Sequence, residues 1–127
     1  MKLVSWNCRG LGNPSKIEAV KDLLKADPSD ILMLQETKIE GEALLEISRT
    51  KWNKRTGKAV STRGTSRGLA TLWNEDTFHL NKHFETQHWI FTELKHNASK
   101  LSISLFNLYV PVSYVEKREC WNSSRII

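Results

Sequence analysis

What this sequence of 127 residues lacks excludes several common classes of protein. It has two cysteines, Cys8 and Cys120, which are too few and too far apart to indicate a disulfide framework or a zinc site. That scarcity predicts a reducing compartment. No apolar run is long enough for a signal peptide or for a helix that crosses a bilayer. We therefore expect an intracellular protein, nuclear or cytoplasmic, without a membrane partner.

Acidic residues are outnumbered by basic ones. Fourteen Asp and Glu residues stand against nineteen Lys and Arg residues, which gives a net charge of +5. Such a balance favours polyanionic partners, and nucleic acid is the commonest of these. A slightly basic soluble protein is the plain alternative, and charge alone does not decide between the two.

The first third of the chain has the pattern of a strand, a helix and a second strand. Residues 2–8 and 30–35 are short apolar runs, and residues 15–26 carry apolar side chains at helical spacing. This order is typical of a βαβ unit with a buried sheet. A second amphipathic helix is predicted over residues 40–49.

Strands dominate the prediction for the remainder. Apolar and alternating patterns predict four of them, at residues 68–73, 78–85, 88–95 and 101–110. Residues 52–66 are polar and basic, which indicates strand fragments and a mobile loop, and residues 115–123 can begin a helix. The chain as a whole predicts one α/β domain, a sandwich with a mixed sheet and an antiparallel meander.

Three polar side chains follow predicted strands. Asn7, Glu36 and Tyr109 each stand near the carboxyl end of one, and α/β proteins place ligands at such ends. If the three strands share one sheet, these side chains converge. Glu36 offers a hard oxygen ligand suited to Mg²⁺, Asn7 an amide that can orient a ligand, and Tyr109 a hydroxyl that can donate to a phosphate oxygen.

Each of the three residues also has an ordinary structural explanation. Glu36 can cap a helix, Asn7 can serve the turn that follows it, and Tyr109 can pack across strands. Spacing alone leaves these alternatives open.

Three runs resemble motifs of the endonuclease/exonuclease/phosphatase superfamily, in the same order. They are KLVSWNCRGL, DILMLQETK and FNLYVP, at residues 2–11, 30–38 and 106–111. SRGLATLWN, at residues 66–74, is similar to a glycine-containing strand of that superfamily. The runs WNCRGLGNP and KRECWN, at residues 6–14 and 117–122, most resemble the endonuclease domain of plant LINE-type (non-LTR) retrotransposons.

The resemblance implies a DNase I-like fold, two packed sheets flanked by helices, and hydrolysis of a phosphodiester in DNA. It implies Mg²⁺ as cofactor, with Mn²⁺ as a substitute, and Glu36 as the metal ligand. Asn7 becomes the asparagine beside the metal, Tyr109 the residue that contacts phosphate, and Asn107 a partner within the third motif. Phosphoinositide phosphatases, sphingomyelinases and deadenylases share these motifs and remain open.

Two further motifs of the superfamily have no counterpart in these residues. One is Gly-Asp-x-Asn, on the side of the attacking water, and the other is an Asp-His pair that contains the catalytic histidine. No Asp follows Asp76, and His96 is the last histidine. We therefore expect a truncated, incomplete domain over residues 1–127 with little activity, since acid–base groups contribute about 10²- to 10⁴-fold. The missing half is also expected to supply the second sheet, which predicts self-association or a complementing C-terminal half.

Basic residues crowd one polar stretch. Lys54, Arg55, Arg63 and Arg67 are expected to contact phosphates there without reading sequence. Trp52 can stack on a base or pack into the core. Two hypotheses result: a retroelement endonuclease domain that nicks DNA with Mg²⁺, and an inactive remnant that at most binds nucleic acid or Mg²⁺.

Overall fold

The computed structural model describes residues 2–61 and 68–108, which form two helices and seven strands. In chain order these are β1 (Leu3–Asn7), α1 (Pro14–Ala26), β2 (Ile31–Gln35), α2 (Gly41–Lys51), β3 (Arg55–Ser61), β4 (Gly68–Asn74), β5 (Phe78–Glu85), β6 (Trp89–His96) and β7 (Ser102–Leu108). The βαβ start, the second helix and the later strands are confirmed to within two residues wherever the structure describes them. The helix predicted over residues 115–123 lies outside the described residues.

The strand fragments predicted in the polar stretch are confirmed in part. Residues 55–61 form one continuous strand, β3, which pairs antiparallel with β4 along its whole length, so the predicted mobile loop does not include them. Its sequence, RTGKAVS, has too few apolar residues for alternation to be visible, so tertiary pairing decides its conformation. Residues 62–66 of the predicted loop lie outside the described residues.

The first sheet has the strand order β1-β2-β4-β3. Strand β1 runs parallel to β2, with α1 as the crossover, while β2 and β4 are antiparallel. The sheet is therefore mixed, as predicted. Both of its faces are covered, which explains why β2 reads as a continuous apolar run.

The two helices cover one face of the first sheet. Asn13 caps α1 by accepting a hydrogen bond from the Ser15 backbone at 2.9 Å, and Pro14 occupies the first turn. Trp52, at the end of α2, is buried, and its indole N–H donates to the Ile17 carbonyl at 3.1 Å. Trp52 is thus a core residue that joins the helices, and the base-stacking alternative is wrong. The core on this face consists of Cys8, Leu11, Val20, Leu32, Leu34, Leu44, Trp52, Ala70 and Leu72.

The second sheet is an antiparallel meander with the order β5-β6-β7. It packs on the other face of the first sheet through one cluster, formed by Ile31, Trp73, Phe78, Leu94 and Leu105. The expectation that a missing half supplies the second sheet is therefore wrong, because these residues already form a two-sheet α/β sandwich. Within the described ranges, no helix is long and apolar enough to cross a membrane.

Candidate metal and phosphate site

The carboxyl ends of β1 and β2 meet at one edge of the first sheet. Asn7 lies opposite Gln35 in the parallel register. The pairing continues past both strands, because the Gly10 backbone donates to the Glu36 carbonyl at 2.7 Å and the Leu11 backbone donates to Thr37 at 2.8 Å. Asn7 and Glu36 therefore stand on neighbouring, mutually bonded loops, which we call the site edge.

Asn107 brings the end of β7 to the same edge from the second sheet. Its side chain is 1% exposed, and its amide nitrogen donates to the carbonyls of Ala70 at 2.9 Å and Leu34 at 3.2 Å. Its amide oxygen accepts from Gln35 Nε2 at 2.9 Å. The three strand ends thus converge, but through the packing of two sheets rather than within one sheet. Tyr109 lies outside the described residues, so its role stays a prediction.

The backbone at the site edge is held in an unusual conformation. Arg9, Glu36 and Lys38 have φ values of 52°, 53° and 57°, in the left-handed region that residues with a Cβ rarely adopt. Such residues cost on the order of 1 kcal/mol each and persist only where surrounding structure enforces them. Here backbone hydrogen bonds on both sides hold the segment that contains Glu36. Thr37 donates to the Gly68 carbonyl at 3.2 Å on one side, and the loop after β1 donates to the carbonyls of Glu36 and Thr37 on the other.

Asn7 has a local partner as well as its place beside Glu36. Its Oδ1 accepts a hydrogen bond from the Arg9 backbone at 3.1 Å, which forms the turn after β1. Lys16 supports the same turn by donating to the carbonyls of Cys8 and Arg9 at 3.0 Å each. The turn role and the ligand-orienting role of Asn7 are therefore compatible, because the turn uses only the amide oxygen.

The donor set at the site edge suits a hard cation with water ligands. No group of three or more His, Cys, Asp or Glu side chains occurs among residues 2–61 and 68–108, so a closed protein cage is absent there. Glu36 is half-buried and takes part in no ion pair within those ranges. Mg²⁺ keeps several waters and takes one or two carboxylates, so the single carboxylate of Glu36 fits Mg²⁺ and does not fit zinc.

Cys8 lies directly beneath this edge and does not contribute a thiolate. Burial raises the pKa of Cys8 to about 12, and the nearby Lys16 only partly offsets that rise. The thiol stays protonated at neutral pH and packs as a small apolar group in the core.

The predicted basic residues are divided between opposite ends of the first sheet. β3 runs from Arg55, opposite Asn74, to Ser61, opposite Gly68. Gly68 adjoins the site edge, so Lys54 and Arg55 lie a full strand away, roughly 20 Å for seven residues. Arg63 and Arg67 lie outside the described residues, so their role stays a prediction.

Arg55 is an interior residue. It is 6% exposed, and its guanidinium donates to the main-chain carbonyls of Ser29 and Asp30. Burial lowers the pKa of Arg55, and the nearby Asp30 opposes that change. The surface role expected for Arg55 is therefore corrected to a structural one, while Lys54 is exposed.

Two exposed basic residues at the site edge were missed by sequence reasoning. Arg9 and Lys38 follow Asn7 and Glu36 by two positions each. The stem of Lys38 lies across Gly10, where an added Cβ would come within 3.2 Å of Lys38 Cδ. Their nearness to the motif residues is a usable signal in the sequence, but the denser basic run after residue 50 obscures it.

Solved structures with this fold come from distant proteins. A mannosyl-6-phosphatase from Bacteroides thetaiotaomicron superposes with a TM-score of 0.76 at 11% identity, over 99% of this chain and 58% of that one. The AP endonuclease of Leishmania major gives 0.60 at 21% identity, over 87% and 40%, and the catalytic domain of Xenopus laevis APE2 gives 0.62 at 21%, over 96% and 49%. The chain thus spans about half the length of these structures.

Sequence comparison adds a family but no individual relative. No curated protein matches the chain. The model of the endonuclease/exonuclease/phosphatase family matches residues 4–118, which include the second and third motifs, all but the first two residues of the first motif, and the site edge. The fold and this match together assign the chain to the endonuclease/exonuclease/phosphatase family.

Proposed function

We propose that this chain is the Mg²⁺- and phosphate-binding part of a phosphodiesterase that acts on DNA, derived from a retroelement endonuclease. The family match and the fold support phosphoester chemistry. The net charge of +5 and the motif wording shared with plant LINE-type retrotransposons support DNA as the substrate and a retroelement as the source.

The observation that carries the proposal is the placement of Glu36. Its carboxylate stands at the end of β2, one residue past the Asn7–Gln35 pair, on a backbone bonded from both sides. Asn107 closes the same edge from the second sheet through Gln35. A single half-buried carboxylate at converging strand ends suits a Mg²⁺ ion that keeps most of its waters.

Each residue has a defined task in this proposal. Bound Mg²⁺ would be held by Glu36 and would neutralise charge on the phosphodiester. Asn7 would orient the phosphate through its amide, and Tyr109 would donate to a non-bridging oxygen. Arg9 and Lys38 contact the flanking phosphates, together with Arg63 and Arg67.

Efficient cleavage is not expected from these residues alone. The sequence contains neither Gly-Asp-x-Asn nor an Asp-His pair after the third motif, so nothing in it is suited to activate the attacking water. The second candidate function, an inactive remnant that binds DNA and Mg²⁺, rests on this observation. A partner that supplied groups able to activate the attacking water would restore the first candidate function, cleavage of DNA.

Metal binding is tested first, by electron paramagnetic resonance of Mn²⁺ with competition by Mg²⁺. Glu36→Gln removes the charge at nearly constant volume and is expected to abolish the competed site. Glu40→Gln is the matched control. Glu40 lies four residues after Glu36, is exposed, and makes no side-chain hydrogen bond to the helix that it precedes. Equal Mn²⁺ binding by wild type and Glu36→Gln would refute the proposal.

Nicking of supercoiled plasmid in Mg²⁺ then separates the two candidate functions. We expect the affinity of the purified chain for DNA to fall steeply as the salt concentration rises. We expect no nicking above background. Nicking that disappears in Glu36→Gln would establish the active alternative. Hydrolysis of a sugar phosphate without any DNA affinity would instead overturn DNA as the substrate.

A further inference from the structure

Lys16 occupies an unusual place for a basic side chain. It lies in the first turn of α1, three positions after the capping residue Asn13, and that turn contains no acidic residue. The N-terminus of a helix carries a partial positive charge, so the helix itself disfavours a cation there. The position of Lys16 is therefore explained by contacts outside the helix.

Those contacts are two carbonyls of the turn that follows β1. The Lys16 ammonium donates to the carbonyls of Cys8 and Arg9 at 3.0 Å each. Among residues 2–61 and 68–108, no backbone N–H donates to either carbonyl. Because two carbonyls that converge on one point repel each other, the ammonium between them stabilises this form of the turn through two charge-assisted hydrogen bonds.

The backbone of the turn depends on such support. Arg9 has a φ of 52° and Gly10 a φ of 98°, so two successive residues lie in the left-handed region. A residue with a Cβ persists there only where its surroundings enforce it. On one side of the turn, Gly10 and Leu11 donate to the segment that follows β2. On the other side, Lys16 holds the carbonyls.

The conformation of this turn decides what Asn7 presents at the site edge. Asn7 Oδ1 accepts a hydrogen bond from the Arg9 backbone at 3.1 Å, so the NH₂ group of the same amide is the part that can donate to a phosphate oxygen. The Arg9 side chain is exposed at the same turn. If the turn relaxed, Asn7 would lose the bond that fixes its amide, and Arg9 would lose its fixed position beside it.

We propose that Lys16 is a positioning residue, which holds the turn after β1 in the form that presents Asn7 and Arg9 to a phosphate group. This inference rests on the proposed function, since the form of the turn matters to a site that binds a phosphodiester. Lys16 makes no contact with the substrate in this proposal, because its ammonium is engaged by the carbonyls of the turn.

The first test is amide hydrogen exchange of the full chain, followed by NMR in EDTA and without DNA. In Lys16→Met we expect exchange of the Arg9, Gly10 and Leu11 amides to accelerate by about 10- to 100-fold, because two hydrogen bonds from a charged group are lost. Amides in the interior of β2 and β4 should keep their wild-type exchange rates.

Two further variants make the exchange result specific. Lys16→Arg keeps the charge and can donate to both carbonyls, so it should restore most of the protection. Lys21→Met is the matched control, since Lys21 lies on the same helix and forms an ion pair with the exposed Glu18. This control should leave exchange at the turn unchanged.

The second test is a mutant cycle on duplex DNA in Mg²⁺, measured by fluorescence anisotropy. Lys16→Met is expected to weaken binding roughly 10-fold in the wild-type background, while Lys21→Met has a smaller effect. In a background that carries both Asn7→Ala and Arg9→Ala, Lys16→Met should cause no further loss, because Lys16 acts through those two residues.

Two results would overturn the positioning role of Lys16. One is exchange at the turn that Lys16→Met leaves unchanged, or that Lys16→Arg fails to protect, in variants with wild-type circular dichroism. The other is an equal loss of affinity in both backgrounds, because Lys16 would then contact phosphate directly. A wild-type chain without affinity for DNA would overturn the proposed function, whereas unchanged exchange overturns the role of Lys16 alone, so the two failures are distinguishable.

Discussion

Asn107 and Gln35 are 72 positions apart in sequence, yet their side chains share a 2.9 Å hydrogen bond that joins the two sheets at the site edge. The same Asn107 amide also donates to two main-chain carbonyls in the first sheet. Asn107, which was expected to assist its own motif, therefore connects that motif to β2, the strand that precedes Glu36.

Asn107→Ala should lower the free energy of unfolding by about 2–3 kcal/mol, because buried polar partners lose their bonds. Asn107→Asp preserves size but cannot donate to both carbonyls, so it should be at least as damaging. Ser104→Ala, at an exposed position of the same strand, should be neutral. Urea unfolding measures all three, and a neutral Asn107→Ala would show that the contact between the sheets does not depend on this side chain.

Glu36→Gly should stabilise the fold while it removes the proposed metal ligand. The φ of 53° at Glu36 is strained for a residue with a Cβ and is unstrained for glycine. We expect a gain of about 0.5–1 kcal/mol in the free energy of unfolding, together with loss of Mn²⁺ binding. Glu42→Gly, in the first turn of α2, should instead cost about 1 kcal/mol. If Glu36→Gly unfolds more easily than wild type, the strain argument fails.

Gly68→Ala should destabilise the protein by about 1–3 kcal/mol. A Cβ at Gly68 would overlap Oγ1 of the buried Thr37, on the loop that carries Glu36. Thr37→Ala should recover part of that loss in the double variant, which thermal unfolding can measure as a coupling energy. Gly12→Ala provides the comparison, since nothing lies within 4 Å of a Cβ there.

The Cys8 thiol should be inert in the folded protein. Its pKa is raised from 9.0 to about 12, so the fold favours the protonated form. The stability linked to this group is fully present below pH 9 and is lost as pH rises towards 12. In a Cys120→Ser background, Ellman's reagent at pH 8 should react only after unfolding in urea. Rapid labelling of native protein would contradict the burial of Cys8.

Arg55 and Lys54 should respond differently to the same substitution. Arg55→Met leaves the carbonyls of Ser29 and Asp30 without their donor and should reduce stability by about 1–3 kcal/mol. Lys54→Met, at the exposed neighbour, should leave stability unchanged. Chemical denaturation distinguishes them, and equal stability of the two variants would restore a surface role for Arg55.

The sequence predicted most of the helices and strands, because the spacing of apolar residues reflects which side chains are buried. The run Ile31–Gln35 is apolar throughout, since helices cover one face and the second sheet covers the other. β3 was predicted only as strand fragments without bounds, because its pairing with β4, rather than its composition, makes it a continuous strand. The spacing of apolar residues shows that a strand is buried, but it does not show which layer covers the strand. For that reason the second sheet was expected from a missing half, although β5, β6 and β7 form it.

Only those residues of the candidate site that lie in the three motifs could be predicted from the sequence. Asn7 and Glu36 were placed together correctly, because parallel strands end at the same edge. Arg55 was misplaced because composition cannot tell a solvated guanidinium from one that satisfies buried carbonyls. The direction of β3 separates Lys54 from Glu36, and no local pattern contains that information.

The two sheets differ in how far their pairings reach along the chain. β5, β6 and β7 pair only with their sequence neighbours, whereas the first sheet inserts β4 between β2 and β3. Local pairings lose little chain entropy on closing, so we expect the meander to form early and to present its inner face as a template. This order would make the site edge a late product of folding, since it is complete only when Asn107 docks on β2 and β4.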